Sequence, residues 1–100
     1  MADTEYSVYI VYCGDGSYYT GISVDVERRL KEHENSPRGA KYLRGRGPLQ
    51  LVFSEVVGDR PEASSLEYRI KRLNRSEKEA LIDGSLSLQT LRAGQDSAAG

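Results

Sequence analysis

A chain of 100 residues with 38% hydrophobic content is sized for one domain around a small core. Its 14 Lys/Arg and 15 Asp/Glu give a formal net charge of -1, so overall basicity makes no case for a polyanion partner. No apolar run approaches the roughly 20 residues of a membrane span, the acidic start Met1-Ala2-Asp3-Thr4-Glu5 lacks the features of a secretory signal, and the lone Cys13 allows neither an internal disulfide nor a cysteine-based zinc site. The expectation is a cytoplasmic protein with no membrane partner.

Tyr6 to Cys13 (Y-S-V-Y-I-V-Y-C) is aromatic and β-branched, the composition of a strand. Gly14-Asp15-Gly16 marks a turn, and Ser17 to Ile22 resumes strand character. Loop length decides which tyrosines share a face. A two-residue loop would pair Tyr9 with Ile22 and separate Tyr9 from Tyr19. A three-residue loop pairs Cys13 with Ser17, Val11 with Tyr19 and Tyr9 with Gly21. Gly16 stands where such a loop needs a left-handed residue, so the three-residue form is expected.

Val26 to Glu34 is expected as a helix capped by Ser23 or Asp25, with Val26, Arg29, Leu30 and His33 on one stripe. Asn35-Ser36-Pro37 ends it, and a basic loop follows, with room for one helical turn at Ala40 to Leu43. Leu49 to Val57 is a third strand whose apolar run points to a central position buried on both faces. Asp59, Pro61 and Glu62 form a helix start with a capping-box pattern. The buried side of that helix is spaced by Ala63, Leu66, Ile70 and Leu73, with Glu67 among them. Ser76 with Glu79 is expected to open a last short helix ending near Gly84. The expected organisation is one domain over residues 1–84 and a flexible Ser/Ala/Gly-rich tail over residues 85–100, whose Leu86, Leu88 and Leu91 could dock. The fold class is α+β: a three-stranded, mainly antiparallel sheet flanked by helices.

Charge is concentrated where the sum hides it. Residues 28–75 hold twelve Lys/Arg and six Asp/Glu, and the flanks hold two and nine. Arg38, Lys41, Arg44 and Arg46 fall in a stretch without acids, which is either a solvated loop or a local attractor for polyanions. Arg29 and Glu67 both occupy core-facing positions on separate helices, and a lone buried charge is costly. Either they neutralise each other in one internal salt bridge, or they line a cleft with Tyr9, Tyr19 and His33 in which Glu67 holds a cation.

Val8-Tyr9, Tyr19-Thr20-Gly21, then Arg29, His33 and Glu67 resemble the pattern of the GIY-YIG nuclease superfamily. The run Tyr19 to His33 (Y-T-G-I-S-V-D-V-E-R-R-L-K-E-H), with Leu66-Glu67-Tyr68-Arg69-Ile70-Lys71, is most similar to its small stand-alone, YhbQ-like branch. That branch is related to the N-terminal nuclease module of the excinuclease C subunit. The resemblance spans residues 6–83. Ser7-Val8-Tyr9 replaces Gly-Ile-Tyr and Thr20 replaces the Ile of Tyr-Ile-Gly, changes that spare both hydroxyls and Gly21. Ile22 stands where some relatives carry a lysine.

The resemblance implies an endonuclease that hydrolyses phosphodiester bonds in DNA, with branched or damaged DNA among the expected targets. It implies catalytic roles for Tyr9, Tyr19, Gly21, Arg29, His33 and Glu67. Glu67 would hold one divalent ion, Mg²⁺ or Mn²⁺, a hard cation served by carboxylate and water oxygens. Arg29 would brace the non-bridging oxygens, Tyr9 would take a proton from the attacking water with Tyr19 positioning it, and His33 would serve as a second donor or relay. Because an ordinary tyrosine has a pKa near 10, burial must be overcome by Arg29 and the metal for Tyr9 to act as a base. Arg38, Lys41, Arg44 and Arg46, with Arg69 and Arg72, are the expected contacts to a phosphate backbone. The other reading is a nucleic-acid-binding or interaction module of the same fold that cuts poorly.

Overall fold

The computed structural model describes residues 5–35 and 48–92, the side chains of residues 33–35 excepted. Its elements are β1 (Tyr6–Tyr12), β2 (Tyr18–Ser23), α1 (Val26–Asn35), β3 (Gln50–Gly58), α2 (Arg60–Lys71) and α3 (Arg75–Asp83), followed by a helical turn over residues 88–92. The sheet is three-stranded and antiparallel, in the order β2-β1-β3.

The hairpin closes through three residues. Cys13 N–H donates to the Ser17 carbonyl at 2.8 Å and Gly16 N–H to the Cys13 carbonyl at 2.9 Å. Gly16 has φ +88°, a left-handed conformation that a side chain would strain. The register follows: Val11 faces Tyr19 and Tyr9 faces Gly21. That register sorts the side chains of β1 between two apolar layers. Val8 and Ile10 pack with Ala63, Leu66 and Ile70 of α2, Leu81 of α3 and Leu88. Tyr9, Val11 and Cys13 pack on the opposite face with Tyr19, Val26 and Leu30. With both faces covered, β1 is buried from Ser7 through Val11.

The third strand departs from expectation. It lies at the edge of the sheet, and β1 takes the central place assigned to it. Ser54, Glu55 and Val56 are exposed. Its register against β1 slips twice: Ile10 faces Phe53 but Val11 faces Leu51, and Tyr6 faces Gly58 but Ser7 faces Val56. Each slip inserts an extra residue, and such bulges bend an edge strand and blunt its pairing surface. The apolar run of β3 resembles that of β1, and local composition does not distinguish a central strand from an edge one.

Both later helices begin on reciprocal caps. Asp59 accepts from the Glu62 N–H at 3.0 Å, and Glu62 accepts from the Asp59 N–H at 3.2 Å, as expected. In α3 the cap is Asn74 with Glu77, two residues before the expected Ser76 and Glu79. Asparagine caps as well as serine, so both frames satisfied the sequence pattern. Beyond α3, where the sequence suggested a flexible tail, Leu88 is 2% exposed within the core. Arg92 donates to the Val57 carbonyl at 3.0 Å and Arg69 to the Leu91 carbonyl at 3.3 Å. Through residue 92 this segment lies against the sheet and α2. The helical turn suggested at Ala40 to Leu43 lies outside the described residues.

Candidate active site

The site is built around one phenol. Tyr9 is 2% exposed, and its ring lies over the bare backbone of Gly21. A Cβ at Gly21 would stand 2.6 Å from Tyr9 Oη and 2.7 Å from its Cζ, closer than any side chain tolerates. The glycine is therefore needed for space, because its partner across the hairpin sends its ring through the volume a side chain would fill.

Among the described residues, Arg29, Tyr19 and Glu67 act on that phenol. The Arg29 guanidinium hydrogen-bonds to it, and the Tyr19 and Glu67 side chains lie near enough to bear on its charge. Burial, reinforced by Tyr19 and Glu67, pushes the Tyr9 pKa up to about 12, although the Arg29 charge and hydrogen bond pull it down. Arg29 reaches the site from α1, which Asp25 caps: the Asp25 Oδ1 accepts from the Arg28 N–H at 3.1 Å and its carbonyl from the Arg29 N–H at 3.0 Å. Burial lowers the Arg29 pKa, but bonds to Glu32 and Tyr9 outweigh it and the net shift is upward.

The predicted Arg29–Glu67 alternative resolves into two local pairs. Arg29 Nη1 lies 3.1 Å from Glu32 Oε1, one turn along α1. Glu67 Oε2 lies 3.1 Å from Lys71 Nζ, one turn along α2. The Glu67 side chain is 24% exposed, neither sealed in the core nor fully in water. Tyr9, Tyr19, Gly21, Arg29 and Glu67 thus come together. The His33 side chain and Arg38, Lys41, Arg44 and Arg46 lie outside the described residues.

The last two expected contacts are not brought to this cleft. Arg69 stands two residues from Glu67, about 160° around the helix, and its guanidinium bonds to the Leu91 carbonyl. Arg72 stacks over the exposed Tyr68 ring at 5.5 Å and donates to its hydroxyl at 3.2 Å. Among the described residues, Lys71 and Lys78 border the site besides Arg29, and with Tyr18, Tyr19 and Thr20 they line a groove of about 330 Å³. Lys71 was legible as the i+4 partner of Glu67. Nothing local to Lys78 announced it, because its place depends on how α3 meets β2.

No group of three or more His, Cys, Asp or Glu side chains that could hold a metal ion is found among the described residues. Among the described residues the donors near Tyr9 are oxygens: one carboxylate and two phenols. That set suits a hard divalent cation that keeps most of its water, for which one protein carboxylate suffices, and does not suit a closed zinc-type cage. No helix among the described residues is long and apolar enough to cross a membrane.

Comparison with known proteins identifies the family. Residues 5–80 match the family model described as the GIY-YIG catalytic domain. A UPF0213 protein of Photorhabdus laumondii is 49% identical over 82 residues, covering 82% of this chain and 78% of its own length. One from Halobacterium salinarum is 52% identical over 75 residues, covering 75% and 96%. The solution NMR structure of a UPF0213 protein from Bacillus halodurans is similar at a TM-score of 0.51 and 48% identity, over 79% of this chain and 83% of that one. A second NMR structure, from E. faecalis, is similar at 0.58 and 37%, over 82% and 86%. With the family model spanning three quarters of its length and relatives at about half identity, the chain belongs to the GIY-YIG nuclease superfamily, among its small stand-alone members.

Proposed function

We propose that the protein is a divalent-metal-dependent endonuclease that hydrolyses phosphodiester bonds in DNA. The observation that carries this reading is the convergence of Arg29, Tyr19 and Glu67 on the buried Tyr9 phenol. Phosphodiester hydrolysis needs a water relieved of its proton, a counter-charge on the non-bridging oxygens and a stabilised leaving oxygen.

The side chains divide this work. Arg29 carries a permanent positive charge and a fork of donors matched to phosphate oxygens. It already donates to Tyr9, so it can bridge the phosphate and the proton acceptor. Tyr9 can take the proton of the attacking water at its Oη only as the phenolate, so its own proton must first pass to solvent, a loss that the Arg29 charge and hydrogen bond favour. Tyr19 holds that water in line. Glu67 would hold the divalent ion, Mg²⁺ or Mn²⁺, which when bound supplies positive charge at the phosphate and the departing oxygen. The Lys71 ammonium, now on Glu67 Oε2, must share or yield that carboxylate. Branched or damaged DNA is the target class included in this reading.

One observation favours the second reading, a nucleic-acid-binding module with little cleavage. With its pKa at about 12, Tyr9 keeps its proton at neutral pH, and Glu67 is already paired. The deciding experiment is cleavage of supercoiled plasmid, single-stranded DNA and RNA with Mg²⁺ or Mn²⁺, by the wild type and by Glu67→Ala and Tyr9→Phe. The endonuclease reading expects metal-dependent nicking that Glu67→Ala abolishes and Tyr9→Phe reduces by about 10²–10⁴-fold. Retention of DNA without nicking under either metal would select the binding module. Nicking unchanged in both variants would place the chemistry elsewhere.

A further inference from the structure

Beside the Tyr9 site, and opening on its Tyr19 side, runs the groove formed by Tyr18, Tyr19 and Thr20 of β2 with Lys71 of α2 and Lys78 of α3. Three features give it a chemistry of its own. Among the described residues its polar lining groups are two ammoniums, two phenols and a hydroxyl, with no carboxylate among them. It lies along a stretch dense in cations: residues 71–78 carry Lys71, Arg72, Arg75 and Lys78 against Glu77, with Glu67 and Glu79 on either side paired to Lys71 and Arg75. It is also held in shape. Arg75 sits over the Tyr18 ring at 4.7 Å and donates to the Gly16 carbonyl at 2.9 Å, while Glu79 accepts from the Tyr18 hydroxyl at 3.3 Å. These contacts tie α3, and with it Lys78, to the hairpin that carries Tyr19.

We propose that this groove is a phosphate subsite, in which Lys71 and Lys78 hold a nucleic-acid backbone phosphate flanking the scissile one and Tyr19 marks the border between the two positions. The proposal deepens the nuclease reading and rests on it. Lys71 has two places to be: on Glu67, where it is found, and on a phosphate in the groove it lines. An entering strand offers Lys71 a new anion as Glu67 is called on to hold a cation. Substrate and metal thereby assist each other's binding. A point-charge ammonium suits this exchange better than a guanidinium fork, because it fixes no bidentate geometry.

The test is fluorescence anisotropy of labelled short DNA and RNA strands in EDTA, where metal-dependent cleavage cannot occur, across a salt series. Lys78→Gln is expected to weaken binding several-fold and to lower the salt slope by about one unit, as losing one phosphate contact should. Lys78→Arg should restore most of the affinity. Arg60→Gln, removing an exposed cation about 16 Å up α2 from Lys71, should change neither quantity. Amide shifts on titration of the wild type should concentrate at residues 18–20, 71 and 78, whichever sugar the strand carries. Wild-type affinity and slope in Lys78→Gln, or shifts centred instead on a separate groove lined by Pro61, Glu62, Ser65, Leu66, Arg69 and Arg92, would overturn the subsite. Because cleavage is scored separately on Glu67→Ala, that outcome leaves the nuclease reading standing. Nucleic acid neither bound nor cut by the wild type would remove both.

Discussion

Tyr9 is both a core residue and the group on which the site converges, and the two roles constrain each other. The ring packs with Val11 and Cys13, while its hydroxyl takes the Arg29 hydrogen bond over the Gly21 backbone. Gly21→Ala would put a methyl where the ring lies, forcing the phenol aside. The expected result is a loss of about 1–3 kcal/mol in stability and at least a 10²-fold loss of cleavage, since small misplacements of a reacting group are that costly. Urea unfolding and plasmid nicking measure the two.

The pH dependence follows from the direction of the Tyr9 shift. Its folded-state pKa, about 12, lies above the unfolded value near 10, so the native state holds this proton more tightly. The associated stability is fully present below pH 10 and is lost as pH rises from 10 to 12, falling by at most about 1.4 kcal/mol per pH unit. Phenolate absorbance should show a late-ionising component that Tyr9→Phe reduces, and the same substitution should flatten the alkaline loss of stability. A late component unchanged in Tyr9→Phe would contradict the burial assigned to Tyr9.

At the level of elements, what could be read from the chain was what short-range rules decide. The hairpin register followed from counting three residues to Gly16, and it placed Tyr9 and Tyr19 on one face with Gly21 opposite. The start of α2 followed from Asp59, Pro61 and Glu62. What could not be read was set by partners distant in sequence. The run at Leu49 to Val57 has the composition of a central strand, yet which strand sits between the other two is a property of the assembled sheet. The Arg29–Glu67 question likewise turned on competition: each charge had an opposite one within a helical turn, Glu32 and Lys71, and those pairs cost little chain ordering. The contact of α3 with the hairpin carries an element-scale prediction. Arg75→Ala removes the bond to the Gly16 carbonyl and the stacking on Tyr18 together. A stability loss of about 1 kcal/mol is expected, with faster amide exchange at residues 16–18 than in β3. Unchanged exchange there would mean that the hairpin does not need α3.

Across the whole molecule, the sheet divides labour between its faces. One layer, with α2, α3 and Leu88, supplies apolar packing. The other places Tyr9 and Tyr19 beside the helix that bears Arg29. The segment after α3 belongs to the first layer through Leu88. Leu88→Ala should therefore cost about 2–4 kcal/mol, the range for a buried leucine, and ending the chain at Gly84 should cost at least as much. Thermal unfolding of both variants tests this. An unchanged midpoint would restore the flexible tail that the Ser/Ala/Gly composition suggested.

The gap at Gly21 has a consequence for anyone wishing to move this chemistry to another scaffold. Copying the tyrosines, arginine and glutamate would not suffice, because the phenol is aimed by an empty volume in the neighbouring strand. The transplant must carry that vacancy too, along with the hairpin pairing that sets it opposite the ring.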